Sequence, residues 1–148
     1  MKILSSQPVQ IIKAGLAYFA LVFGAGFLLG AIRVPFMVPR LGERMAELIE
    51  MPFTFVIILL SARFIAKRFA LAASTFVRLA VGFLALGLAL AAEVLLAVAI
   101  QNQSIAEFIA SRDPVSGSVF LGMLLLFALM PLIVMRSPSG LAHNSDRK

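Results

Sequence analysis

A chain of 148 residues that is 61% hydrophobic and only 14% charged, with a mean hydropathy of +1.04, lies far outside the balance of a soluble domain and takes lipid as its solvent. Its formal charge of +6 does not mark a nucleic-acid binder, because the basic residues stand singly or in pairs at the ends of apolar runs, where they act as topology signals. The absence of cysteine excludes disulfides, thiolate metal sites and a cysteine nucleophile, and the single histidine, His143 in the tail SPSGLAHNSDRK, excludes a bis-histidine haem within one chain.

A hydrocarbon core of about 30 Å takes roughly 20 helical residues, and in lipid the backbone must satisfy its own hydrogen bonds. The predicted fold is therefore all-α, a single polytopic membrane domain over residues 1–135. Its four transmembrane helices lie near 8–32, 45–66, 79–100 and 119–135, with a short interfacial helix before the fourth and a polar, disordered tail over 136–148.

In the first helix, Lys2 and Lys13 precede an apolar run from Ala14 to Ile32. The run is longer than a signal-peptide h-region and no A-x-A pattern follows, so it is read as a retained span. Gly26, Gly30 and Arg33 share one face at i, i+4 and i+7. Ala20 and Gly24 form a second small-x-x-x-small pair, the spacing that lets helices approach closely in lipid.

The second helix poses a length problem, since only about a dozen residues separate Pro52 from Arg63, short of the roughly 20 a span requires. A start near Met45 solves it, with Arg63 snorkelling to one interface and Glu47 and Glu50 at or just inside the other. Pro52 either kinks this helix or breaks it. A break would leave Arg40–Met51 as a surface helix with Leu41, Met45, Leu48 and Ile49 on its apolar face. In both cases Glu43, Glu47 and Glu50 share a face, which a continuous helix extends through Thr54 to Ser61 as a polar stripe.

The third helix carries Glu93 deep in an apolar run, on the same face as Gly82, Ala85, Ala89 and Ala97. Glu93 is expected to face another helix or a cavity, either protonated or paired with Arg33. Gln101 to Gly117 is the longest polar connection. Within it, Ser104-Ile105-Ala106-Glu107 has capping-box spacing and predicts a short helix through Ala110. Asp113-Pro114 turns the chain, and Ser116 or Ser118 is expected to cap the fourth helix, which has Pro131 near its end.

Nine basic residues on the side of the termini against four on the other predict both termini in the cytoplasm of a bacterial-type inner membrane. On the far side, Arg33, Glu43, Glu47, Glu50 and Glu93 converge in depth. Such a cluster serves as a register-fixing salt bridge, a proton or cation relay, or a docking patch. A di-iron site is disfavoured, since no Glu-x-x-His motif is present.

Gly24-Ala25-Gly26-Phe27-Leu28-Leu29-Gly30-Ala31-Ile32-Arg33 is similar to the glycine-rich helix ending in arginine of the small four-span fluoride channels, which work as antiparallel dimers. The resemblance covers these ten residues. The third helix lacks that family's Thr/Phe/Ser-rich break, and the only asparagines, Asn102 and Asn144, lie outside the second helix. Fluoride conduction is not carried over.

The leading expectation is a non-enzymatic accessory or assembly subunit without cofactor or metal. It would dock a membrane protein or a second copy through the small residues Ala20, Gly24, Gly26, Gly30, Gly82, Ala85 and Ala89 and through the charged cluster. The alternative is an oligomeric proton-coupled transporter or ion channel that uses Glu93 and the polar stripe of the second helix.

Overall fold

The computed structural model describes residues 7–72, 74–99, 102, 104–110 and 112–134. The predicted tail over 136–148, and the predicted helix ends at Ile100 and Met135, lie outside the described residues. In chain order the elements are α1 (Gln7–Ile32), a π-helical turn (Arg33–Met37), α2 (Val38–Leu41), α3 (Glu43–Arg68), α4 (Thr75–Ala99), α5 (Ile105–Ala110) and α6 (Pro114–Val134). Among the described residues four helical stretches are long and apolar enough to cross a membrane, as expected of a multi-pass membrane protein.

The first of them does not stop at Arg33. It runs for 35 residues, Gln7–Leu41, about 52 Å at 1.5 Å per residue. Even a tilt of about 40° leaves it longer than the hydrocarbon core, so its last turns project beyond. Pro35 explains the π-helical turn. It has no N–H to offer the Ala31 carbonyl, and the backbone widens so that the Val38 amide donates to the Arg33 carbonyl. The stretch ends instead at Gly42, with φ 77° and ψ 163°, a conformation that suits glycine. The Gly42 amide donates to the Val38 carbonyl at 2.9 Å and its carbonyl accepts from the Ala46 amide at 3.1 Å. A single residue thus closes one helix and opens the next.

α3 is continuous through Pro52 and begins at Glu43, so residues 40–51 do not form a separate surface helix. α4 begins at Thr75, four residues before the predicted start. The capping box ahead of α5 forms as the spacing predicts: the Ser104 amide donates to Glu107 Oε2 at 2.7 Å and the Glu107 amide donates to Ser104 Oγ at 3.2 Å. α6 begins at Pro114 rather than near 119. Its cap is neither Ser116 nor Ser118 but Asp113, whose Oδ2 accepts from the Val115 and Ser116 amides, each at 3.0 Å. The carboxylate reaches two free amides at once, and Pro114 suits the first helical position because it has no amide to satisfy. Ser118 Oγ instead donates back to the Pro114 carbonyl.

α1 packs on α3 and α4, and α6 packs on the same two helices. The four long helices therefore stand in the cyclic order α1, α3, α6, α4, with α1 facing α6 across the bundle axis. Small residues draw the walls together on the side of α4. A Cβ on Gly82 would lie 1.8 Å from the Ala128 carbonyl oxygen, and one on Gly15 would lie 2.7 Å from Leu84 Cδ2. Ala14, Ala62, Val81 and Ala85 are buried around these contacts.

Across the axis, Tyr18 of α1 donates its hydroxyl proton to the Phe127 carbonyl of α6 at 3.0 Å, and the two rings lie 4.7 Å apart. Sequence explains why that carbonyl is available. Residue 131, four positions on, is proline and has no N–H to donate to it. In an apolar bundle a freed carbonyl is costly, and Tyr18 supplies the missing donor.

Candidate functional site

Above the Tyr18–Phe127 bridge, toward Arg33, the bundle opens into a cavity of about 280 Å³ lined by all four long helices and by the α5–α6 connection. Counting helical rise from the basic residues at the opposite end gives its depth. Arg33 lies 20 residues from Lys13, Glu50 lies 13 from Arg63, and Glu93 lies 15 from Arg78. These correspond to about 30, 20 and 22 Å, so Arg33 reaches the far boundary of the core while Glu50 and Glu93 sit inside it. At the centre of a span an unpaired charge is unfavourable by roughly 2.5 to 3.5 kcal/mol, a cost that falls toward the boundary, so pairing is favoured at these positions as well.

The pairing differs from the expected one. Arg33 Nη1 lies 3.3 Å from Glu47 Oε1 and Arg33 Nε lies 3.2 Å from Glu50 Oε2. The three side chains are 22%, 11% and 15% exposed, buried enough that one guanidinium serves two carboxylates with little help from solvent. Although Arg33 Nε and Glu50 Oε2 are close, their contact lacks hydrogen-bond alignment, and each of these two buried atoms is without a hydrogen-bond partner. Glu93 does not pair with Arg33. It lies 3.5 Å from Arg112 Nη2, and Arg112 in turn sits over Phe108 and Phe120, 4.9 and 4.7 Å from their ring centroids. The π-helical turn and the closure at Gly42 direct Arg33 toward α3, and the α5–α6 connection reaches over α4 to meet Glu93 first.

The residue that follows Arg112 in the chain anchors the connection. Asp113 accepts from Arg44 at 2.7, 3.0 and 3.1 Å, which ties the start of α6 to the start of α3. The Arg44 guanidinium, followed by the Ser116 amide, holds the Asp113 carboxyl well below the usual carboxylate range. The capping box lowers Glu107 as well, chiefly through the Ser104 amide.

Of the residues singled out from sequence, Arg33, Glu47, Glu50 and Glu93 line the cavity, together with Gly26, Thr54 and Ala89. Glu43 is exposed and does not line it. Gly82, Ala85 and Ala89 are buried in the bundle, whereas Ala20 and Gly24 are exposed. A Cβ added at Gly24, Gly26 or Gly30 would meet nothing within 4 Å, so these glycines are not packed against another helix of this chain. Among the described residues no three carboxylate or imidazole groups gather as a metal site.

Sequence reading missed Arg112, Arg44, Asp113, Tyr18 and Gly15. Arg112 lies in the connection between the helices that carry Phe108 and Phe120, and only the fold brings it over both rings. Tyr18 could have been found by asking which donor serves the carbonyl four residues before Pro131. No family model, curated protein or solved structure matches the chain.

Proposed function

We propose that this chain is a small membrane binding protein whose cavity holds a small molecule among the charged and aromatic side chains near one end of the bundle. The supporting observation is a cavity of about 280 Å³ that gathers Arg33, Glu47, Glu50, Glu93 and Arg112 from separate parts of the chain. Pockets of this kind combine apolar walls with a few convergent polar groups. Filling the cavity tests the proposal. Ala89 is 7% exposed and lines the void, so Ala89→Phe should abolish every ligand-induced thermal shift of the purified protein while leaving its helical signal intact. A library of small molecules that shifts neither form would defeat it.

The buried Tyr18–Phe127 bridge lies across the axis beneath the cavity, which favours a dead-ended site over a pore. In the channel or proton-coupled transporter alternative, Glu93→Gln would abolish flux in liposomes, and the bridge makes no flux from wild type the expected result. The docking role is supported by one observation, the exposed Ala20–Gly24 step on α1 with open space beside it. An accessory subunit that uses this face should copurify in mild detergent with a stoichiometric partner or as a homo-oligomer, and Gly24→Leu should disperse the complex. A solitary monomer would argue against that role.

With both termini in the cytoplasm of an inner membrane, as the basic residues favour, the cavity lies in the outer half of the bilayer. Because the chain has no native cysteine, single cysteines at Glu43 and Ser74 would report the orientation through impermeant thiol labelling.

A further inference from the structure

We infer that the cavity binds a lipophilic monocation through an ammonium group seated at Glu50, with its apolar tail against the phenylalanine walls. This rests on the proposal that the cavity is a binding site, and it adds the ligand's charge and chemical class.

Charge balance carries the first step. Three carboxylates, Glu47, Glu50 and Glu93, share the cavity with two guanidinium groups, Arg33 and Arg112. Arg112 answers Glu93, while Arg33 is divided between Glu47 and Glu50. One positive charge is therefore missing, and it is missing on the side of Glu47 and Glu50. In a medium of low polarity an uncompensated carboxylate takes up either a proton or an occupant that supplies the charge, and the cavity beside Glu50 leaves room for the occupant.

Hydrogen bonding gives the second step. Glu50 Oε2 is buried and lacks a hydrogen-bond donor, although Arg33 Nε lies 3.2 Å away. An ammonium N–H that takes the place of Arg33 Nε beside this oxygen would satisfy it, leaving Arg33 to Glu47. A quaternary ammonium would interact by charge alone, which makes the two classes useful probes of the same oxygen.

Shape and surface give the third step. Phe23, Phe27 and Phe127 line the cavity, and aromatic faces attract cations as well as apolar chains. A second, apolar-walled hollow of about 310 Å³ lies on the other side of the Arg33–Glu50 contact, bordered by Leu29, Ile32 and Phe53. Apolar room therefore adjoins Glu50 on two sides, which suits an alkyl-bearing cation better than a hydrated metal ion.

Tyr18 is the only tyrosine and the chain has no tryptophan, and it stacks on Phe127, which lines the cavity, so its emission reports on an occupant through that contact. The experiment titrates full-length protein in dodecyl maltoside micelles, which contain neither amine nor aromatic groups, with hexylamine, hexyltrimethylammonium, neutral hexanol and anionic hexanoate, following Tyr18 fluorescence and thermal shift. The expected result is saturable binding of both cations, tighter for hexylamine, and no comparable binding of the neutral or anionic probe. Glu50→Gln should weaken hexylamine at least tenfold, whereas Glu43→Gln, outside the cavity, should leave it unchanged. Should Glu50→Gln fail to fold, the four-probe comparison on wild type decides alone. Preferential binding of hexanol or hexanoate keeps the site and overturns the cation, and so does unchanged hexylamine binding in folded Glu50→Gln. Absence of binding by all four probes overturns the ligand class, while the library screen on wild type and Ala89→Phe judges the site itself. Repeating the titration with phosphatidylethanolamine added to the micelles separates two sources of the same ammonium chemistry. Competition by that lipid assigns the site to a headgroup amine, and its absence assigns it to a free amine.

Discussion

Replacing Gly82 with alanine tests how the bundle is held together. The added Cβ would lie 1.8 Å from the Ala128 carbonyl oxygen, where real Cβ contacts essentially never fall below 3.0 Å, and the obstructing atom is backbone that no side-chain rotation can move aside. Bringing 1.8 Å to 3.0 Å requires α4 and α6 to part by 1.2 Å at that level. A radial gap of about 0.5–1 Å already forfeits a quarter to a half of a dispersion well, and overpacking of this kind typically destabilises by about 1–3 kcal/mol. The gain in helix propensity on leaving glycine offsets at most about 1 kcal/mol. A net loss of about 2 kcal/mol is therefore expected, roughly a 30-fold change in the unfolding equilibrium. Gly24→Ala is the internal control, because its Cβ meets nothing within 4 Å and should be neutral or slightly stabilising. Unfolding of both variants in one detergent, by heat or by a denaturing surfactant, measures the difference. Equal stability of Gly82→Ala and Gly24→Ala would refute the close approach of α4 and α6.

Three further outcomes follow from named contacts. Tyr18→Phe keeps the ring against Phe127 but leaves the carbonyl freed by Pro131 without a donor, and should cost about 1–3 kcal/mol in the same assay; adding Pro131→Ala, which restores a backbone donor, should recover part of the loss. Arg33→Met leaves Glu47 and Glu50 facing each other without their cation and should destabilise by about 3–5 kcal/mol, with partial recovery in the triple variant carrying Glu47→Gln and Glu50→Gln. Asp113 is held below its unfolded value near about 3.9, so its contribution is complete above that pH and is lost as pH falls toward the folded value. Between about pH 5 and pH 2 wild type should therefore lose more stability than Asp113→Asn, measured by unfolding at each pH; parallel pH profiles would show that the Arg44–Asp113 link contributes nothing.

Much of the architecture was legible because lipid leaves a chain few choices. Apolar runs bounded by Lys13, Arg63 and Arg78 had to become helices, and their spacing placed the glutamates near one boundary before any contact was known. The capping box at Ser104 was readable for the same local reason, since it involves four consecutive residues. The end of the first span was not, because it depended on how the backbone responded to Pro35. A proline can break a helix, kink it or, as here, widen it into a π-helical turn that continues to Leu41. The cap of α6 was misplaced because serine and aspartate compete for that role, and the tie to Arg44, 69 residues away, favours Asp113.

What the sequence determined by itself was the apolar character of the chain, the number of membrane-length helices and the spacing of the charges along them, because these depend on composition and on a fixed rise per residue. Only the tertiary structure decided which charges meet. Arg33, Glu47, Glu50 and Glu93 all lie toward the same end of the bundle, and that alone cannot say that Arg33 serves α3 while Arg112 takes Glu93. That choice follows from the cyclic order of the helices and from a connection that folds back over α4. It leaves three carboxylates and two guanidinium groups around one cavity, with Tyr18 closing the axis beneath it.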